Sequence, residues 1–392
     1  MKCLKICFVI DSLQIGGANK LTLKIIELLL LRGNSIKLII LYRIEPECNK
    51  EMFKNLDIEL IYLNFDKISF FKRILCLHRE IQGYPIIHSC LEDSNLYSSI
   101  TRLFVKRSVK FISTFHGVDG VYIEEKKLKD VIAKKWPRKY VFMITTLQNI
   151  LFKYYDGFIV LCNDTKKFLI KRRKINEDKI SVLYHGSDTN EMEPNVSEKE
   201  LYDLQNKYNL KSSHFVLAYV GRITHAKGLM ELIVSFKKIL PLYPDIRLLL
   251  IGDGDLADEL KLKIKELNLT EYVTITGFYD NVLMFYKIMN VFLLTSYSES
   301  LSLVTQEAMF NKVICLCSDC GGLPEVITDN VDGFLFRTGD FEEFETKLKN
   351  IIQNFEKYEY IKTNAKKNII QKFDINKNIH SIEKYFLDLS IK

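Results

Sequence analysis

The stretch Thr295–Asn311, TSYSESLSLVTQEAMFN, decides the fold. It follows the apolar run Asn290–Leu294, which reads as a buried strand, and its serines lead into a predicted helix that starts near Ser302. Glu299 then lies in the loop above the strand end, and Glu307 lies on the second helical turn. Unpaired N–H groups of a first turn can hold an anion, while carboxylates accept hydrogen bonds from hydroxyls. The stretch suits a sugar nucleotide, although two glutamates taken alone are more often solvated surface acids.

Length and charge divide the chain into two parts. A chain of 392 residues predicts two domains. Residues 1–190 carry 32 Lys and Arg against 20 Asp and Glu, whereas the remainder carries 24 against 29, so only the first part is expected to meet an anionic partner. Nine scattered cysteines are typical of a reducing cytosol. Asp11 interrupts the apolar start, which therefore reads as a strand rather than a signal peptide, and no membrane span is expected.

The first half alternates between strand and helix signals. A strand at Leu4–Ile10, a loop with Gly16 and Gly17 and a following helix predict a parallel sheet whose ligand lies at the carboxyl ends of the strands. Two adjacent glycines let the backbone approach a phosphate or sugar, but they also suit a simple tight turn. His116 follows the predicted strand Lys110–Phe115, where such sheets place chemistry, although a single histidine is more often structural.

Two basic segments in this half resemble membrane-surface helices. Glu124–Lys139 carries seven Lys or Arg and the only tryptophan, and Lys166–Lys174 is similarly basic. A solvated helix face is the alternative for both. The polar, turn-rich stretch Tyr184–Pro194 is the best interdomain linker. No aromatic and basic motif with a known docking geometry appears, so nucleic-acid binding is not expected.

The second half repeats the rhythm, and its first loop carries two cations. The loop Gly221–Gly228, GRITHAKG, follows the predicted strand Phe215–Val220. Arg222 and Lys227 at this edge of a parallel sheet suit a diphosphate, and together they can neutralise a leaving group without a metal. Further along, a helix is expected near Val282–Met289, and the end of the chain reads as helical.

At this point the sequence resembles the retaining family 4, or group 1, glycosyltransferases of the GT-B fold. The motifs that carry the resemblance are Gly16-Gly17-Ala18, His116-Gly117, Gly221-Arg222 with Lys227-Gly228, Gly252-Asp253-Gly254, Gly277-Phe278, Glu299 with Glu307-Ala308-Met309, Gly321-Gly322-Leu323-Pro324-Glu325 and Asp332-Gly333-Phe334. Each motif is weak alone, but their order and spacing along the whole chain are specific.

The resemblance implies an α/β fold of two Rossmann-like parallel-sheet domains facing a cleft. The acceptor would bind residues 1–188, to which the final helix, 375–392, crosses back, and the nucleotide sugar would bind residues 189–374. Arg222 and Lys227 would hold the diphosphate, Glu307 the ribose, and Glu299 would face the transferred sugar, with His116 near the reacting carbon. The remaining donor-binding residues would be Gly16, Gly17, Gly252, Ser300, Leu301, Ser302, Leu303 and Val304.

The same resemblance implies transfer with retention, commonly explained by departure of the nucleoside diphosphate and front-face entry of the acceptor. No cofactor or metal is implied. The expected donor is a UDP-sugar, with GDP- or ADP-sugars as alternatives, and the acceptor is a glycan or lipid-linked sugar. We therefore expect a cytoplasmic enzyme, peripheral at the inner face of the cell membrane, that assembles a surface polysaccharide or glycolipid.

Departures from the family pattern leave the donor sugar open. The usual Glu-Gly-Phe-Gly reads Glu299-Ser300-Leu301-Ser302, and the usual Pro-Asn-Gly at the linker reads Tyr184-His185-Gly186. Three other interpretations remain: a dinucleotide-dependent oxidoreductase, a nonhydrolysing sugar-nucleotide epimerase, and an inactive partner subunit. The oxidoreductase is disfavoured because Asp253 and Asp255 would repel a pyrophosphate. Cys315, Cys317 and Cys320 lack the spacing of a zinc site and are expected to pack.

Overall fold

The computed structural model describes residues 3–13, 16–43, 58–117, 146–147, 149–279 and 281–391. The chain divides into two compact units. Among the described residues, the first contains those up to His185 together with the segment from Ile375 onwards, and the second contains Gly186–Asp374. The division at His185 therefore falls inside the stretch that the sequence marks as a linker.

The first unit is built on a parallel sheet of seven strands in the order β3-β2-β1-β4-β5-β6-β7. The strands are β1 (Lys5–Ile10), β2 (Ser35–Ile40), β3 (Glu59–Tyr62), β4 (Ile86–Cys90), β5 (Lys110–Phe115), β6 (Gly157–Val160) and β7 (Ile180–Val182). The helices are α1 (Gly17–Leu31), α2 (Phe70–Glu80), α3 (Glu92–Thr101) and α4 (Asn163–Lys171). Continuous apolar runs form the central strands because helices cover both faces of such a sheet.

The strand order reverses between β1 and β4, and the partly buried carboxylate of Asp11 binds the backbone there. Asp11 follows β1, and its carboxylate accepts hydrogen bonds from the backbone N–H groups of Asp93 (3.3 Å) and Ser94 (2.7 Å) at the start of α3. Burial raises the pKa of Asp11 to about 6. In open parallel sheets a crevice forms beyond the carboxyl ends of the two strands at which the strand order reverses.

The final helix, α12 (Ile375–Ile391), belongs to the first unit. Glu383 accepts hydrogen bonds from Arg32 Nε (2.7 Å) and Asn34 Nδ2 (2.8 Å) at the end of α1. Phe386 packs against Phe8 of β1, with the ring centroids 6.3 Å apart. A polar contact to the end of α1 and an apolar contact to β1 thus attach the last helix of the chain to the first unit.

The second unit has six parallel strands in the order β10-β9-β8-β11-β12-β13. The strands are β8 (Phe215–Val220), β9 (Ile246–Ile251), β10 (Val273–Gly277), β11 (Val291–Leu294), β12 (Ile314–Ser318) and β13 (Phe334–Phe336). The helices are α5 (Glu198–Lys207), α6 (Leu229–Ile239), α7 (Ala257–Glu266), α8 (Leu303–Phe310), α9 (Leu323–Val326), α10 (Phe341–Gln353) and α11 (Glu359–Lys372). Here the order reverses between β8 and β11, whose following loops carry the cations and the first glutamate.

Two elements differ from the sequence expectation. The helix expected near Val282–Met289 is a 3₁₀ helix at Leu283–Lys287. Apolar residues three apart share a face in either helix type, so their spacing does not distinguish the two. The α5 helix was not predicted, although Ser197 and Glu200 form a capping box at its start, which is a helix signal that the sequence displays.

Of the two basic segments expected at a membrane surface, only one lies within the described residues. Glu124–Lys139 lies outside the described residues. Lys166–Lys174 lies on and after α4, where Lys167, Lys171 and Lys174 are exposed while Lys166 pairs with Glu177 at 2.8 Å. No helix in the described ranges has the length and hydropathy needed to cross a bilayer.

Candidate active site

The loops after β8 and β11 meet above the carboxyl ends of these adjacent strands. Thr295 Oγ1 donates to the carbonyl oxygen of Lys227 (2.9 Å), and the N–H of Tyr297 donates to that of Ala226 (2.8 Å). Gly228 has a φ of 64°, and a Cβ atom there would collide with the carbonyl oxygen of Thr295. A glycine is required because the conformation is left-handed and the second loop approaches so closely.

This approach pairs the lysine of one loop with the glutamate of the other. Lys227 Nζ lies 2.5 Å from Glu299 Oε1, and Ser296 Oγ donates to the same carboxylate oxygen at 2.7 Å. The two side chains are only 21% and 12% exposed, so the pair is largely shielded from water. The Glu299 carboxylate thus binds Lys227 at the place where an anionic ligand of this lysine would bind.

Arg222 lies in the same loop as Lys227 but has a different environment. Its side chain is exposed and makes no ion pair within the described part of the chain. The hydroxyl of Tyr219 donates to the Arg222 carbonyl oxygen (2.7 Å), which fixes the backbone from which the guanidinium extends. The arrangement offers one solvent-facing cation and one cation that already has a counterion.

The stretch Thr295–Asn311 forms a loop and a helix, as the sequence predicts. Helix α8 begins at Leu303, one residue after the expected start, and Glu307 lies on its second turn. The hydroxyl of Tyr286 donates to Glu307 Oε2 at 3.0 Å and also lies 3.2 Å from the Val304 carbonyl oxygen. Tyr286 is buried, and its hydrogen bond therefore fixes the orientation of the Glu307 carboxylate.

The serines that replace the usual glycines of this loop have distinct environments. Ser302 adopts a φ of 37°, unusual for a residue with a side chain, and its hydroxyl lies 2.8 Å from that of Thr305. Ser300 Oγ is buried and has no hydrogen-bond partner in the described structure. Leu301 is buried between them, and its carbonyl oxygen accepts from Gln306 Nε2 (2.8 Å). The N–H groups at the start of α8, at Leu303 and Val304, have no carbonyl four residues earlier within the helix.

The Gly252-Asp253-Gly254 loop supports the arginine loop. The N–H of Gly252 donates to Gly277 O (3.1 Å), and the N–H of Ile223 donates to Asp253 O (2.8 Å). A Cβ atom on Gly252 would collide with Gly221 O. Within this loop the N–H of Gly254 also donates to Asp253 Oδ1 (2.8 Å). Because the N–H groups of Gly252 and Gly254 are already used within the protein, they do not form the open phosphate cradle that the oxidoreductase interpretation needs.

The first unit brings its expected residues to the carboxyl edge of its sheet. Gly16 and Gly17 lie at the start of α1, before its first full turn. His116 follows β5, and its Nε2 lies 3.2 Å from Thr22 Oγ1 on α1. Burial lowers the pKa of His116 to about 4, so the imidazole is neutral at neutral pH. It can act there as a hydrogen-bonding group and not as a cation.

Three contributing residues were absent from the predicted site. Ser296 and Tyr286 orient the two glutamates, and His185 packs beside His116 with ring centroids 6.3 Å apart. Only His185 left a signal in the sequence, as a departure from the usual linker motif. Within the described ranges, no three His, Cys, Asp or Glu side chains converge as a metal site requires, and Cys315 and Cys317 are buried free thiols of β12.

Comparison with known proteins identifies the family. Residues 203–368 match the model of the glycosyl transferases group 1, and residues 15–191 match that of glycosyltransferase family 4. The chain is 25% identical over 335 residues to the Escherichia coli UDP-Gal:α-D-GlcNAc-diphosphoundecaprenol α-1,3-galactosyltransferase, covering 84% of this chain and 82% of the relative. It is 27% identical over 316 residues to the Staphylococcus aureus capsular polysaccharide biosynthesis glycosyltransferase CapM, covering 80% and 78%.

Solved structures agree on the fold. The Anabaena protein HepE in complex with UDP-glucose superimposes with a TM-score of 0.81 at 18% identity, over 98% of this chain and 100% of that structure. The two family models together span both units, and each unit has the parallel sheet of a Rossmann-like domain. The chain therefore belongs to the group 1 glycosyltransferases of the GT-B fold.

Proposed function

We propose that this glycosyltransferase moves a sugar from a UDP-sugar to a lipid-linked or glycan acceptor, with retention and without a metal. The observation that carries the proposal is the contact of Lys227 with Glu299 above the carboxyl ends of β8 and β11. Arg222 lies in the same loop as Lys227, and Glu307 lies on the helix that follows Glu299. Cations, carboxylates and a helix N-terminus in one place match the diphosphate and hydroxyls of a sugar nucleotide.

The chemistry assigns a task to each group. The diphosphate displaces Glu299 from Lys227 and also contacts Arg222 and the N–H groups at the start of α8. Glu307, held by Tyr286, accepts from the ribose hydroxyls, and the released Glu299 accepts from the transferred sugar. The bond from C1 to the diphosphate breaks with its electron pair on the phosphate oxygen, so the cations stabilise the charge that develops.

The acceptor oxygen then forms its bond to C1 on the face that the diphosphate leaves. The proton of the acceptor hydroxyl passes to the departing phosphate. Because the acceptor oxygen itself enters on the face that the diphosphate leaves, no protein nucleophile takes part. The resemblance to retaining enzymes supports this stereochemistry. The relatives support the substrate classes, because one uses UDP-Gal with a diphosphoundecaprenol-linked sugar and another serves capsule synthesis, as their names state.

Binding and turnover of nucleotides test this assignment. Thermal unfolding is measured with UDP, GDP, ADP, CMP and NAD in separate samples. UDP at about 100 times its Kd should add about 2.7 kcal/mol to the free energy of unfolding and raise the Tm visibly. Glu307→Ala, which removes the acceptor proposed for the ribose hydroxyls, should lose most of this shift, whereas Glu259→Ala, at an exposed position on α7, should keep it.

The outcomes separate the competing activities. Stabilisation by GDP or ADP alone would change the donor class, and a response to NAD alone would contradict the transferase proposal. Conversion of UDP-N-acetylglucosamine to an epimer would favour the epimerase. UDP binding without transfer to any acceptor would favour an inactive partner subunit. With an active acceptor, Lys227→Ala should lower kcat more than it raises KM, because the charge develops in the transition state.

The ion pair between Lys227 and Glu299 leads to a second prediction, in which a substitution strengthens the binding of UDP. Glu299→Gln removes the carboxylate that competes with the diphosphate for Lys227, so UDP should bind about fivefold more tightly. Turnover should fall, because the transferred sugar loses a charged acceptor. Glu259→Gln on α7 removes the same charge from an exposed position and should change neither quantity. Titration calorimetry of UDP gives the affinities, and weaker binding to Glu299→Gln would contradict the exchange of partners.

We also propose peripheral contact of the first unit with an anionic membrane surface at the inner face of the cell membrane. Exposed Lys167, Lys171 and Lys174 support it, because clustered basic side chains attract anionic headgroups. The protein should float with anionic liposomes at low salt, and Lys167→Glu with Lys171→Glu should reduce the bound fraction. Lys237→Glu in the other unit is the control. Absence of the native protein from the floating fraction would remove this part of the proposal.

A further inference from the structure

A buried glutamine of α8 holds the loop that leads from Glu299 into this helix. Gln306 is fully buried, and its Nε2 donates a hydrogen bond to the carbonyl oxygen of Leu301 at 2.8 Å. At the other end of the same amide, Oε1 accepts from Ser187 Oγ at 3.0 Å. A carbonyl oxygen can only accept, so the NH₂ end of the amide must face Leu301 and its oxygen must face Ser187. Each end of the amide therefore has a partner of matching chemistry.

The loop that Gln306 holds contains a strained residue. Ser302 has a φ of 37°, in the left-handed region that favours glycine, and the family pattern has glycine at this position. Such a conformation persists in a residue with a side chain only when the surrounding contacts hold it. Here the hydroxyl of Ser302 lies 2.8 Å from that of Thr305, and the carbonyl just before Ser302 is bonded to Gln306. These two contacts keep the backbone of the loop in one conformation.

The bond to the Leu301 carbonyl also fixes the direction of the next N–H group. In a trans peptide the C=O and the N–H point in opposite directions. Since the Leu301 oxygen points towards Gln306, the N–H of Ser302 points away from it. Among the described residues, no acceptor is bonded to this N–H. Ser302 is half-buried whereas Gln306 is buried, so the N–H belongs to a residue that a ligand can reach.

Ser187 links this arrangement to the places where the chain passes between the two units. The chain enters the second unit after His185 and leaves it after Asp374. The N–H of Ser187 donates to the Phe373 carbonyl oxygen at 2.8 Å, and Ser187 pairs with Asp374 in a parallel bridge. Both passages therefore meet at Ser187, and Gln306 connects them to the loop before α8.

We propose that Gln306 is a positioning residue of the donor site, which aims the N–H of Ser302 at the diphosphate and takes its own position from Ser187. The inference rests on the proposed function, since that function supplies the diphosphate. Because Gln306 is buried, it acts only through the peptide that it holds. A donor group that is already aimed loses little conformational freedom on binding, and it therefore contributes more to affinity.

The test compares the native protein with Gln306→Met, whose side chain has a similar length and no hydrogen-bond donor. Titration calorimetry gives the Kd of UDP, and an NMR titration gives the Kd of uridine, which has the same base and ribose but no phosphate. Gln306→Met should weaken the binding of UDP about tenfold, because a hydrogen bond to a charged group is lost. The Kd of uridine should stay within about twofold of the native value.

Three further substitutions serve as controls. Ser187→Ala removes the hydroxyl that holds Gln306 and should weaken UDP about threefold, whereas Ser187→Thr keeps a hydroxyl and should match the native protein. Added to Gln306→Met, Ser187→Ala should have no further effect, since its influence passes through Gln306. Ser235→Ala on α6 removes another buried hydrogen bond of the second unit, which Ser235 donates to Glu345 at 2.9 Å. It should lower the Tm without changing the Kd of UDP.

The outcomes separate a positioning role from a structural one. Equal affinities of Gln306→Met and the native protein for UDP overturn the inference, and so does an equal loss for UDP and uridine, which would indicate a general distortion of the site. Because Ser187 is only half-buried, Ser187→Ala decides the question if Gln306→Met does not fold: equal UDP affinities of this variant and the native protein then overturn the inference. Failure of the native protein to bind UDP contradicts the proposed function instead, so the two failures are distinguishable.

Discussion

The ion pair between Lys227 and Glu299 is the interaction on which the proposed donor site depends. It joins the loops that follow β8 and β11, and these loops are neighbours only because the strand order of the second sheet reverses there. Gly228 permits the approach, since a side chain would collide with Thr295. The pair orients Lys227 in the absence of a ligand, and in the proposed exchange a diphosphate offers this lysine two or more charges in place of one carboxylate.

The two units use different polar chemistry at corresponding edges of their sheets. The second unit gathers formal charges: Arg222 faces solvent, Lys227 has a counterion and Glu307 is held by Tyr286. The first unit gathers neutral imidazoles, because burial keeps the pKa of His116 and His185 low. Charged groups suit a diphosphate, whereas neutral donors and acceptors suit hydroxyls.

Much of the fold was predictable because buried parallel strands are continuous apolar runs. Lys110–Phe115 and Phe215–Val220 have the predicted bounds, and α8 begins within one residue of its expected start. The partners of the site residues were not predictable, since the contacts of Ser296 with Glu299 and of Tyr286 with Glu307 depend on the packed structure. The 3₁₀ helix at Leu283–Lys287 was missed because its apolar spacing also fits an α-helix. His185 was visible only as a departure from a motif, and its unpaired nitrogens are a property of the packed structure.

The ionisation of bound UDP tests the central claim most directly, because it reports the field at the terminal phosphate. ³¹P NMR gives the pKa of that phosphate for free UDP and for UDP on the native protein. Lys227, Arg222 and the N-terminus of α8 favour the more negative form, so the pKa of bound UDP should fall by at least about one unit, or about 1.4 kcal/mol. A pKa that is unchanged or raised on binding would contradict the account, because the diphosphate would then lie away from these cations.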